Sequence, residues 1–426
     1  MTIATFSAPK GALNATVRVP GSKSVANRAL ICALLAEGQS RISGLPDGDD
    51  TTVIIEVLEQ LKRFQREGDS VVITGSREVK LPGIIDAQLA GTSSRFLTAV
   101  AALGEGTCIV DGGEPLRGRP MADLHEALTS LGAELMPLGE LGHLPVSVSA
   151  GSIAGGPIDI RGDVSSQFIS ALMLIGPMLD DGLIINITGD LVSRSYVEMT
   201  AAVMNAFGAR ADINESTIAV SPGGYVACEY VVEPDFSSAA FPLCALAMRE
   251  GSVRIPRLGL ASMQGDSEIL KILVSMGCSV AYDGSDVVVS RGSQQLNGID
   301  IDMADCSDLV PAVAVAMLFC SSPSRITGVG FIRRKESDRL GDLANELRKA
   351  GAVIEVEDDG LFIHPIQNTV ASELGTYHDH RLAMAFALLA LAVDGVGVQY
   401  PEVVSKSWPT YFSDIAPILG ASTAQH

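Results

Sequence analysis

The chain has 426 residues, of which 47% are hydrophobic and 5% aromatic, and its formal net charge at pH 7 is −20. This length is sufficient for two or three domains with packed cores. A strongly negative protein repels nucleic acid and anionic membranes, so we expect partners of neither kind. An anionic ligand would need a local basic cluster that overcomes the average charge.

The cysteine content and the apolar runs indicate a cytoplasmic protein. The seven cysteines form no CxxC pair and lie mostly in apolar runs, as is typical of small core residues in a reducing compartment. The first residues have neither a basic region nor a long apolar stretch, so no signal peptide is expected. The longest apolar run, Leu382 to Val393, is shorter than the roughly 18 residues that a transmembrane helix needs.

In chain order, a short polar segment followed by an apolar helix occurs six times. The marker positions recur at intervals of 70 to 72 residues: Ser22, Ser93, Ser165, Ser237, Ser307 and Asp379. Helices that are apolar on nearly all sides are buried. The even spacing therefore predicts six copies of one structural repeat.

A second recurring pattern is an amphipathic helix that ends at a glycine and is followed by a strand. It ends at Gly132, Gly208, Gly277 and Gly351, with a degenerate copy at Leu61-Lys62-Arg63 and a last one at Leu419-Gly420-Ala421. Glycine is favoured there because it adopts the left-handed conformation without a Cβ clash. Since no room remains for a strand after the last helix, we expect residues 2–19 to supply the strand that completes its repeat.

Six repeats divide most simply into three and three. The prolines in Val19-Pro20-Gly21 and Glu233-Pro234-Asp235 fix the backbone at two positions that resemble crossings between domains. The sequence predicts one domain of residues 21–234 and a discontinuous one of residues 1–20 and 235–426, with a cleft between them.

Basic residues recur at or near the predicted helix starts. A helix N-terminus carries unpaired N–H groups and partial positive charge, and therefore binds anions. Lysine and arginine gain nothing from the helix dipole there, which favours a ligand-binding role over a local structural one. The residues concerned are Lys23, Arg28, Arg95 and Arg381, with Arg119, Lys335, Arg339 and Lys406 on other polar segments. The alternative for any one of them is a solvated or capping side chain.

Six ordered segments resemble the signatures of the EPSP synthase family. They are Pro20-Gly-Ser-Lys-Ser-Val-Ala-Asn-Arg-Ala-Leu30, Leu89-Ala-Gly-Thr-Ser-Ser-Arg95, Gly162-Asp-Val-Ser-Ser-Gln-Phe168, Arg333-Arg-Lys-Glu-Ser-Asp-Arg-Leu340, Tyr377-His-Asp-His-Arg-Leu382 and Ser405-Lys-Ser-Trp-Pro409. The resemblance implies an α/β fold of two domains, each with three βαβαββ repeats and buried parallel helices. It also implies a reaction between shikimate 3-phosphate and phosphoenolpyruvate that releases phosphate.

The resemblance assigns binding residues motif by motif. Those implied for shikimate 3-phosphate are Lys23, Ser24, Arg28, Ser165, Ser166, Gln167, Ser193, Tyr196, Asp308 and Lys335. Those implied for phosphoenolpyruvate are Lys23, Gly91, Thr92, Arg119, Gln167, Arg339, Arg381 and Lys406. The domain of residues 21–234 is expected to bind mainly shikimate 3-phosphate. The discontinuous domain is expected to supply the catalytic acids and to bind phosphoenolpyruvate.

The implied reaction needs two proton transfers. Asp308 aligns with the family's proton-accepting aspartate, and Glu336 is the candidate for protonating C3 of phosphoenolpyruvate. Lys23 is expected to stabilise developing negative charge, and Arg95 and His380 are expected to support the site. The alternatives are a helix cap for Asp308, and for Glu336 an ion pair with Lys335 or Arg339.

Three positions depart from the family's usual residues: Leu89, Phe96 and Phe331. They indicate a divergent bacterial subfamily, and Phe331 puts one contact to the shikimate moiety in doubt. Gly91 is retained, so we expect glyphosate to inhibit by occupying the phosphoenolpyruvate site.

Two other functions are weighed against this interpretation. A UDP-N-acetylglucosamine enolpyruvyl transferase would share the fold, but it generally carries Lys-Asn where this chain has Lys23-Ser24, and a reactive cysteine on the loop matching residues 112–120, where this chain has none. A non-catalytic repeat protein that binds phosphate-bearing ligands would explain the cations but not Asp308 and Glu336. The sequence shows no cluster of metal ligands and no nucleotide loop, so we expect no cofactor and no metal, and a monomer.

Overall fold

A computed structural model describes residues 2–7, 10–149, 151, 153–259, 261–420 and 422–425. The chain divides into two compact units. We call Gly21–Val232 the continuous unit, and Met1–Pro20 with Glu233–His426 the discontinuous unit. The chain therefore passes from one unit to the other twice, after Pro20 and after Val232.

Strands and helices alternate along the whole chain. The strands are β1 Ile3–Phe6, β2 Leu13–Thr16, β3 Ala36–Ser43, β4 Phe64–Glu67, β5 Ser70–Gly75, β6 Ile84–Asp86, β7 Thr107–Asp111, β8 Glu134–Pro137, β9 Val146–Ser149, β10 Gly156–Arg161, β11 Leu183–Thr188, β12 Ala211–Ile213, β13 Thr217–Val220, β14 Tyr225–Val226, β15 Glu229–Val231, β16 Gly251–Ile255, β17 Ser279–Asp283, β18 Asp286–Arg291, β19 Asp300–Asp302, β20 Ser324–Thr327, β21 Ile354–Glu357, β22 Gly360–Ile363, β23 Glu373–Leu374, β24 Val396–Gln399 and β25 Ser422–Gln425.

The α-helices are α1 Lys23–Leu35, α2 Asp49–Gln60, α3 Gly91–Leu103, α4 Glu114–Arg117, α5 Ala122–Ser130, α6 Ser166–Ile175, α7 Arg194–Ala206, α8 Phe236–Cys244, α9 Ile269–Met276, α10 Val310–Met317, α11 Gly341–Lys349, α12 His380–Ala387, α13 Tyr411–Asp414 and α14 Ala416–Leu419. Short 3-10 helices occupy Gly176–Met178, Ala245–Ala247, Gly265–Glu268, Ala304–Leu309, Gly330–Arg334, Leu388–Leu391 and Pro401–Lys406.

One sheet pattern occurs six times among the described residues. A parallel pair of strands is followed by two strands that are each antiparallel to their neighbour. In the continuous unit the orders are β14-β3-β5-β4 with β15 also beside β3, β6-β7-β9-β8, and β10-β11-β13-β12. In the discontinuous unit they are β2-β16-β18-β17, β19-β20-β22-β21 and β23-β24-β1-β25. The pattern is the βαβαββ repeat that the family resemblance implied.

The N-terminal segment completes sheets of the discontinuous unit. β1 is antiparallel to β24, with Ile3 opposite Gln399, so the expectation that this segment joins the last repeat is confirmed. β2 is parallel to β16 and thus belongs to the fourth repeat. The expectation that no strand follows the last helix is wrong, because β25 pairs antiparallel with the other edge of β1. A strand of four residues is enough to extend a sheet, and sequence pattern alone did not reveal one this short.

Each repeat has one buried helix, which explains its apolar composition. In the continuous unit α3 packs against α6, and α1 contacts both. In the discontinuous unit α10 packs against α8 and α12. Nearly all side chains of these helices are buried, and many are alanine, which allows close approach of neighbouring helices.

The amphipathic helices end as the glycine pattern predicted. Gly132, Gly208, Gly277 and Gly351 all have φ between +80° and +117°, in the left-handed region. In the degenerate first copy Lys62 takes this position with φ of +56°. The left-handed backbone therefore recurs even where the glycine does not, but Gly420, after the last helix, differs with φ of +74° and ψ of −179°.

The described cysteines are unpaired, and six of the seven are buried, as expected for core residues. Within the described ranges, no helix combines the length and the apolar character needed to cross a membrane.

Candidate active site

Several helices of the continuous unit begin at the same end. Lys23, the first residue of α1, pairs with Asp50 in the first turn of α2 at 2.9 Å. Ser93, at the start of α3, donates to the carbonyl oxygen of Asp50 at 2.5 Å. Arg95 of α3 donates to the side-chain oxygen of Gln167 in α6 at 2.5 Å. Four helix starts and their partial positive charges therefore converge.

Gly91 lies where two guanidinium groups meet. A Cβ atom at this position would be 2.8 Å from a terminal nitrogen of Arg95 and 2.9 Å from one of Arg119. The absence of a side chain therefore lets both cations reach the first turn of α3. We call Lys23, Arg95 and Arg119 with Gly91 and Gln167 the basic cluster.

Arg28 is a predicted ligand that the structure places in the interior, with 1% of its surface exposed. Its guanidinium donates to the hydroxyls of Thr200 and Ser170 at 2.7 and 3.0 Å, and to the backbone carbonyls of Ser24 and Tyr196. Burial lowers the pKa of Arg28 to about 10. In this arrangement Arg28 joins α1 to α6 and α7 through hydrogen bonds.

The remaining predicted residues of the continuous unit lie at or near helix starts. Ser24 and Thr92 are half-buried in the first turns of α1 and α3. Ser165 caps α6 by accepting from the amide of Gln167 at 3.3 Å, and Ser166 is buried beside it. Ser193 precedes α7 with φ of +54°, and Tyr196 lies in the first turn of that helix.

In the discontinuous unit, cations and carboxylates alternate. We call the following residues the mixed cluster: Lys335, Arg339, Arg381, Lys406, Asp308, Glu336 and Asp379. Asp308 lies on the 3-10 helix before α10, where Arg339 contacts one of its oxygens at 2.8 Å and Arg381 the other at 2.7 Å. The N-cap residue of α10 is Leu309 rather than Asp308.

Arg339 is at the centre of the mixed cluster and contacts all three carboxylates. Besides Asp308, it reaches Glu336 at 2.7 Å and Asp379 at 2.7 Å. Glu336 also pairs with Lys406 at 3.0 Å. Asp379 is fully buried and caps α12 through the amide of Arg381. His380, the predicted supporting residue, is buried directly after Asp379.

The electrostatic balance of the mixed cluster determines its ionisation. Burial alone would raise the pKa of Asp308, but the nearby Arg381 and Lys335, together with Arg339, hold this pKa well below its usual value. Burial lowers the pKa of Lys335, whose ammonium group lies 3.8 Å from Asp308. Burial also opposes the charge of Arg339, yet its carboxylate partners raise its pKa overall. The surrounding cations therefore favour the ionised form of Asp308.

Asp266 is a buried acid that the sequence interpretation did not select. It is 3% exposed, lies on the 3-10 helix Gly265–Glu268, and accepts a hydrogen bond from the hydroxyl of Ser237 at the start of α8. Burial, with the charge of Asp308, raises the pKa of Asp266 to about 7. No charged motif marks Asp266 in the sequence. Its interaction with Asp308 depends on the packing of two 3-10 helices, Gly265–Glu268 and Ala304–Leu309, against each other.

Comparisons with known proteins agree with this geometry. The model of the family described as EPSP synthase (3-phosphoshikimate 1-carboxyvinyltransferase) matches residues 8–415. The chain belongs to the EPSP synthase family. A relative from Shewanella denitrificans named 3-phosphoshikimate 1-carboxyvinyltransferase is 37% identical over 422 residues, covering 96% of this chain and 97% of its own. One of the same name from Nostoc punctiforme is 38% identical over 419 residues, covering 96% and 97%.

Solved structures agree on the fold of the EPSP synthase family. The EPSP synthase of Acinetobacter baumannii superimposes with a TM-score of 0.83 at 23% identity, covering 100% of both chains. The enolpyruvyl transferase NikO of Streptomyces tendae gives 0.79 at 18% identity and covers 100% of this chain and 98% of its own. The mixed α/β fold with two units is thus that of the family.

Two of the three departures from the family's usual residues contact basic side chains. Phe96 is fully buried, and the guanidinium carbon of Arg28 lies 5.3 Å from the centre of its ring. Phe331 contacts Lys335, whose ammonium nitrogen is 5.8 Å from its ring centre. Leu89 is 37% exposed beside Gly113. The first two aromatic rings therefore contact predicted ligand-binding cations.

The part of the chain that the structure describes shows no group of three or more histidine, cysteine, aspartate or glutamate side chains arranged to hold a metal ion.

Proposed function

We propose that this protein transfers the enolpyruvyl (1-carboxyvinyl) group of phosphoenolpyruvate to the 5-hydroxyl of shikimate 3-phosphate. The products are 5-enolpyruvylshikimate 3-phosphate and phosphate, in the pathway to chorismate and the aromatic amino acids. The observation that carries the proposal is the mixed cluster, in which proton-transferring carboxylates lie among anion-binding cations. Membership of the EPSP synthase family supports the choice of substrates.

The basic cluster is proposed to bind anionic groups of the substrates. Together these carry roughly five negative charges at neutral pH, with each phosphate near −2. Lys23, Ser24, Ser165, Ser166, Gln167, Ser193 and Tyr196 are assigned to shikimate 3-phosphate, and Gly91, Thr92, Arg119 and Gln167 to phosphoenolpyruvate. Arg28, also assigned to shikimate 3-phosphate, is proposed to act mainly by holding α1, α6 and α7 together, because most of its N–H groups already have protein acceptors.

Asp308 is proposed as the base for the 5-hydroxyl. In the first step the hydroxyl oxygen attacks C2 of phosphoenolpyruvate, Asp308 accepts its proton, and Glu336 protonates C3. In the second step Glu336 takes a proton back from C3, the C2–C3 double bond re-forms, the bond between C2 and the phosphate oxygen breaks, and phosphate leaves. Lys23 and Lys335 are proposed to stabilise the developing negative charge.

The ion pairs of Asp308 suggest how its basicity is controlled. An aspartate whose pKa is held well below the usual range is a poor proton acceptor. Arg339, Arg381 and Lys406 are assigned to phosphoenolpyruvate, whose phosphate and carboxylate would compete with Asp308 and Glu336 for these cations. Binding of phosphoenolpyruvate would therefore raise the pKa of Asp308 towards its usual value just before it is needed.

A single assay distinguishes the proposal from its alternatives. Phosphate release is measured with phosphoenolpyruvate and either shikimate 3-phosphate or UDP-N-acetylglucosamine as acceptor. We expect release only with shikimate 3-phosphate. Release with the sugar nucleotide would favour the other enolpyruvyl transferase, and binding without release would favour a non-catalytic protein.

The environment of Cys108, the cysteine closest in sequence to residues 112–120, also argues against the other enolpyruvyl transferase. Cys108 is 4% exposed, and burial raises its pKa to about 11, which is unsuitable for a reactive thiolate.

Glyphosate is proposed to inhibit by occupying the phosphoenolpyruvate site. The retained Gly91, with Arg95 and Arg119 beside it, supports this. Inhibition should be competitive with phosphoenolpyruvate, and its absence at millimolar concentration would contradict the proposal.

We also propose that the protein is a cytoplasmic monomer. Analytical ultracentrifugation would test the oligomeric state, and cell fractionation would test the location.

A further inference from the structure

The turn before α12 has an unusual backbone. Tyr377 and His378 are consecutive residues with φ of +51° and +59°. For residues other than glycine the left-handed conformation costs about 1 kcal/mol or more each, so surrounding contacts must stabilise it. The turn leads directly into Asp379, which caps α12, and into Arg381.

A buried glutamate outside the mixed cluster holds this turn. Glu346, on α11, is 1% exposed. Its carboxylate accepts from the amide of Gly375 at 2.9 Å and from the hydroxyl of Tyr377 at 2.7 Å. Lys349 neutralises the charge, with its ammonium nitrogen 2.7 Å from each oxygen. Glu346 therefore ties Gly375, two residues before the strained stretch, and Tyr377, its first residue, to α11.

The same turn contacts a third segment of the mixed cluster. The ring of His378 lies 5.8 Å from that of Tyr400, another non-glycine residue with positive φ. Tyr400 immediately precedes the 3-10 helix Pro401–Lys406. The turn before α12 thus contacts both α11, which follows Arg339, and the segment that leads to Lys406. These contacts lie away from the ion pairs of Arg339, Arg381 and Lys406.

We propose that Glu346 and Tyr377 are positioning residues, which hold the turn before α12 in the geometry that places Arg381. They act through the backbone of the turn, because the amide of Asp379 donates to the carbonyl oxygen of Thr376 at 2.8 Å. The carboxylate of Asp379 in turn accepts a hydrogen bond from the buried Arg339. We call this pair of residues the latch. The inference rests on the proposed function, because the cations it positions are those assigned to phosphoenolpyruvate.

The latch remains formed at the pH values used for assays. The hydrogen bond from the Tyr377 hydroxyl to Glu346 is the main reason that the pKa of Tyr377 is raised to about 12. The hydroxyl therefore stays protonated and continues to donate between pH 6 and 9. Substitutions in the latch should alter the binding of phosphoenolpyruvate without changing the shape of the pH profile.

The test compares steady-state constants of Tyr377→Phe, Glu346→Ala and the double variant. Losing one hydrogen bond to a charged acceptor predicts that Tyr377→Phe raises the KM for phosphoenolpyruvate about fivefold to tenfold. The KM for shikimate 3-phosphate should stay within about twofold. Because the Tyr377 hydroxyl donates to the Glu346 carboxylate, which alanine lacks, the double variant should be no worse than Glu346→Ala alone. Tyr282→Phe, at a 64% exposed tyrosine on β17, is the matched control and should behave as wild type.

Amide hydrogen exchange supplies a second readout that needs no substrate. In Tyr377→Phe the amides of Asp379 and Arg381 should exchange about fivefold to tenfold faster than in wild type, whereas Tyr282→Phe should leave them unchanged. A wild-type protein without turnover would refute the proposed function, and the exchange data would still decide the latch. The inference would be overturned if Tyr377→Phe changed neither KM nor amide exchange, or if it changed both KM values equally. It would also be overturned if the KM increases of the two single variants multiplied in the double variant.

Discussion

The two units repeat the same sheet pattern three times each but carry different chemistry at their helix starts. In the basic cluster, Lys23 pairs with the buried carboxylate of Asp50, while Arg95 reaches the neutral Gln167. In the mixed cluster, three carboxylates are interleaved with four cations. The buried Asp266, whose pKa the charge of Asp308 helps to raise, is a further acid of the discontinuous unit.

This difference shows how one repeat supports two tasks. Converging helix starts and arginine side chains suffice to bind a phosphate or carboxylate group. Proton transfer also requires carboxylates whose pKa values the surroundings can shift. We therefore propose that the continuous unit serves mainly to bind anions and that the discontinuous unit supplies the acid–base groups.

Of the variants that test the contrast between the two units, Asp308→Ala should have the largest effect on activity. Asp308→Ala should lower kcat by a hundredfold or more, because general acid–base groups contribute on that scale. Binding of shikimate 3-phosphate should be retained, since most of its assigned residues lie in the continuous unit. Phosphoenolpyruvate should bind as tightly as before or tighter, because Arg339 and Arg381 lose a competing anion. Steady-state kinetics and calorimetry would measure these changes.

Asp305→Asn is the matched control for Asp308→Ala. Asp305 is an exposed aspartate on the same 3-10 helix, Ala304–Leu309. Its replacement should leave kcat within about twofold of wild type. A wild-type kcat in Asp308→Ala would remove the base assignment, and with it the contrast between the two units.

The repeat was predictable from sequence because its signals are local. Regular spacing of helix starts and glycine at helix ends report backbone conformations that each repeat must adopt. Lys62 shows the limit, because it adopts the left-handed conformation without the residue type that signals it. β25 shows a second limit, since its four residues become a strand only by pairing with β1, which is distant in sequence.

The sequence predicts a set of site residues, and the structure shows contacts of those residues that the sequence did not reveal. Cations near helix starts and the acids Asp308 and Glu336 follow from motif and spacing. That Arg28 points inward to Ser170 and Thr200, or that Asp266 meets Ser237, depends on packing between separate repeats. Such contacts leave no periodic trace in the sequence, and the latch at Glu346 has the same origin.

A substitution at Gly91 tests the anion-binding role of the continuous unit. In Gly91→Ala the new methyl group must displace the guanidinium groups of Arg95 and Arg119, which lie 2.8 and 2.9 Å from the Cβ position. We expect the KM for phosphoenolpyruvate to rise about tenfold, since roughly 1.4 kcal/mol of binding is lost when one charged contact is weakened. Glyphosate inhibition should weaken by at least as much, while kcat should change less. Inhibition curves and initial rates measure both.

Gly83→Ala is the control for Gly91→Ala, because its Cβ would meet no atom within 4 Å. It should leave both constants unchanged. Because Gly91 is helical, alanine also favours the fold by up to about 1 kcal/mol, so the variant should remain folded. An unchanged KM for phosphoenolpyruvate in Gly91→Ala would show that this ligand does not use the start of α3.

The smallest expected effect concerns the proton on Asp266, and it appears in stability rather than in turnover. Burial raises the pKa of Asp266 to about 7 in the folded protein, against about 4 in the unfolded chain. Between these values the folded state keeps a proton that the unfolded state has lost. This group therefore lowers the free energy of unfolding as the pH rises from 4 to 7, by at most about 1.4 kcal/mol per pH unit.

Asp266→Asn removes this titration while leaving an oxygen that can accept from Ser237. The variant should gain stability relative to wild type on going from pH 5 to pH 8, as measured by the melting temperature in scanning calorimetry. The depressed pKa of Asp308 acts only below about pH 4, where protonation removes its contribution, so it does not obscure the difference. Asp300→Asn, at an exposed aspartate on β19, should instead run parallel to wild type. Parallel curves for Asp266→Asn would show that Asp266 holds no proton at neutral pH, and the acid–base character of the discontinuous unit would then rest on Asp308 and Glu336 alone.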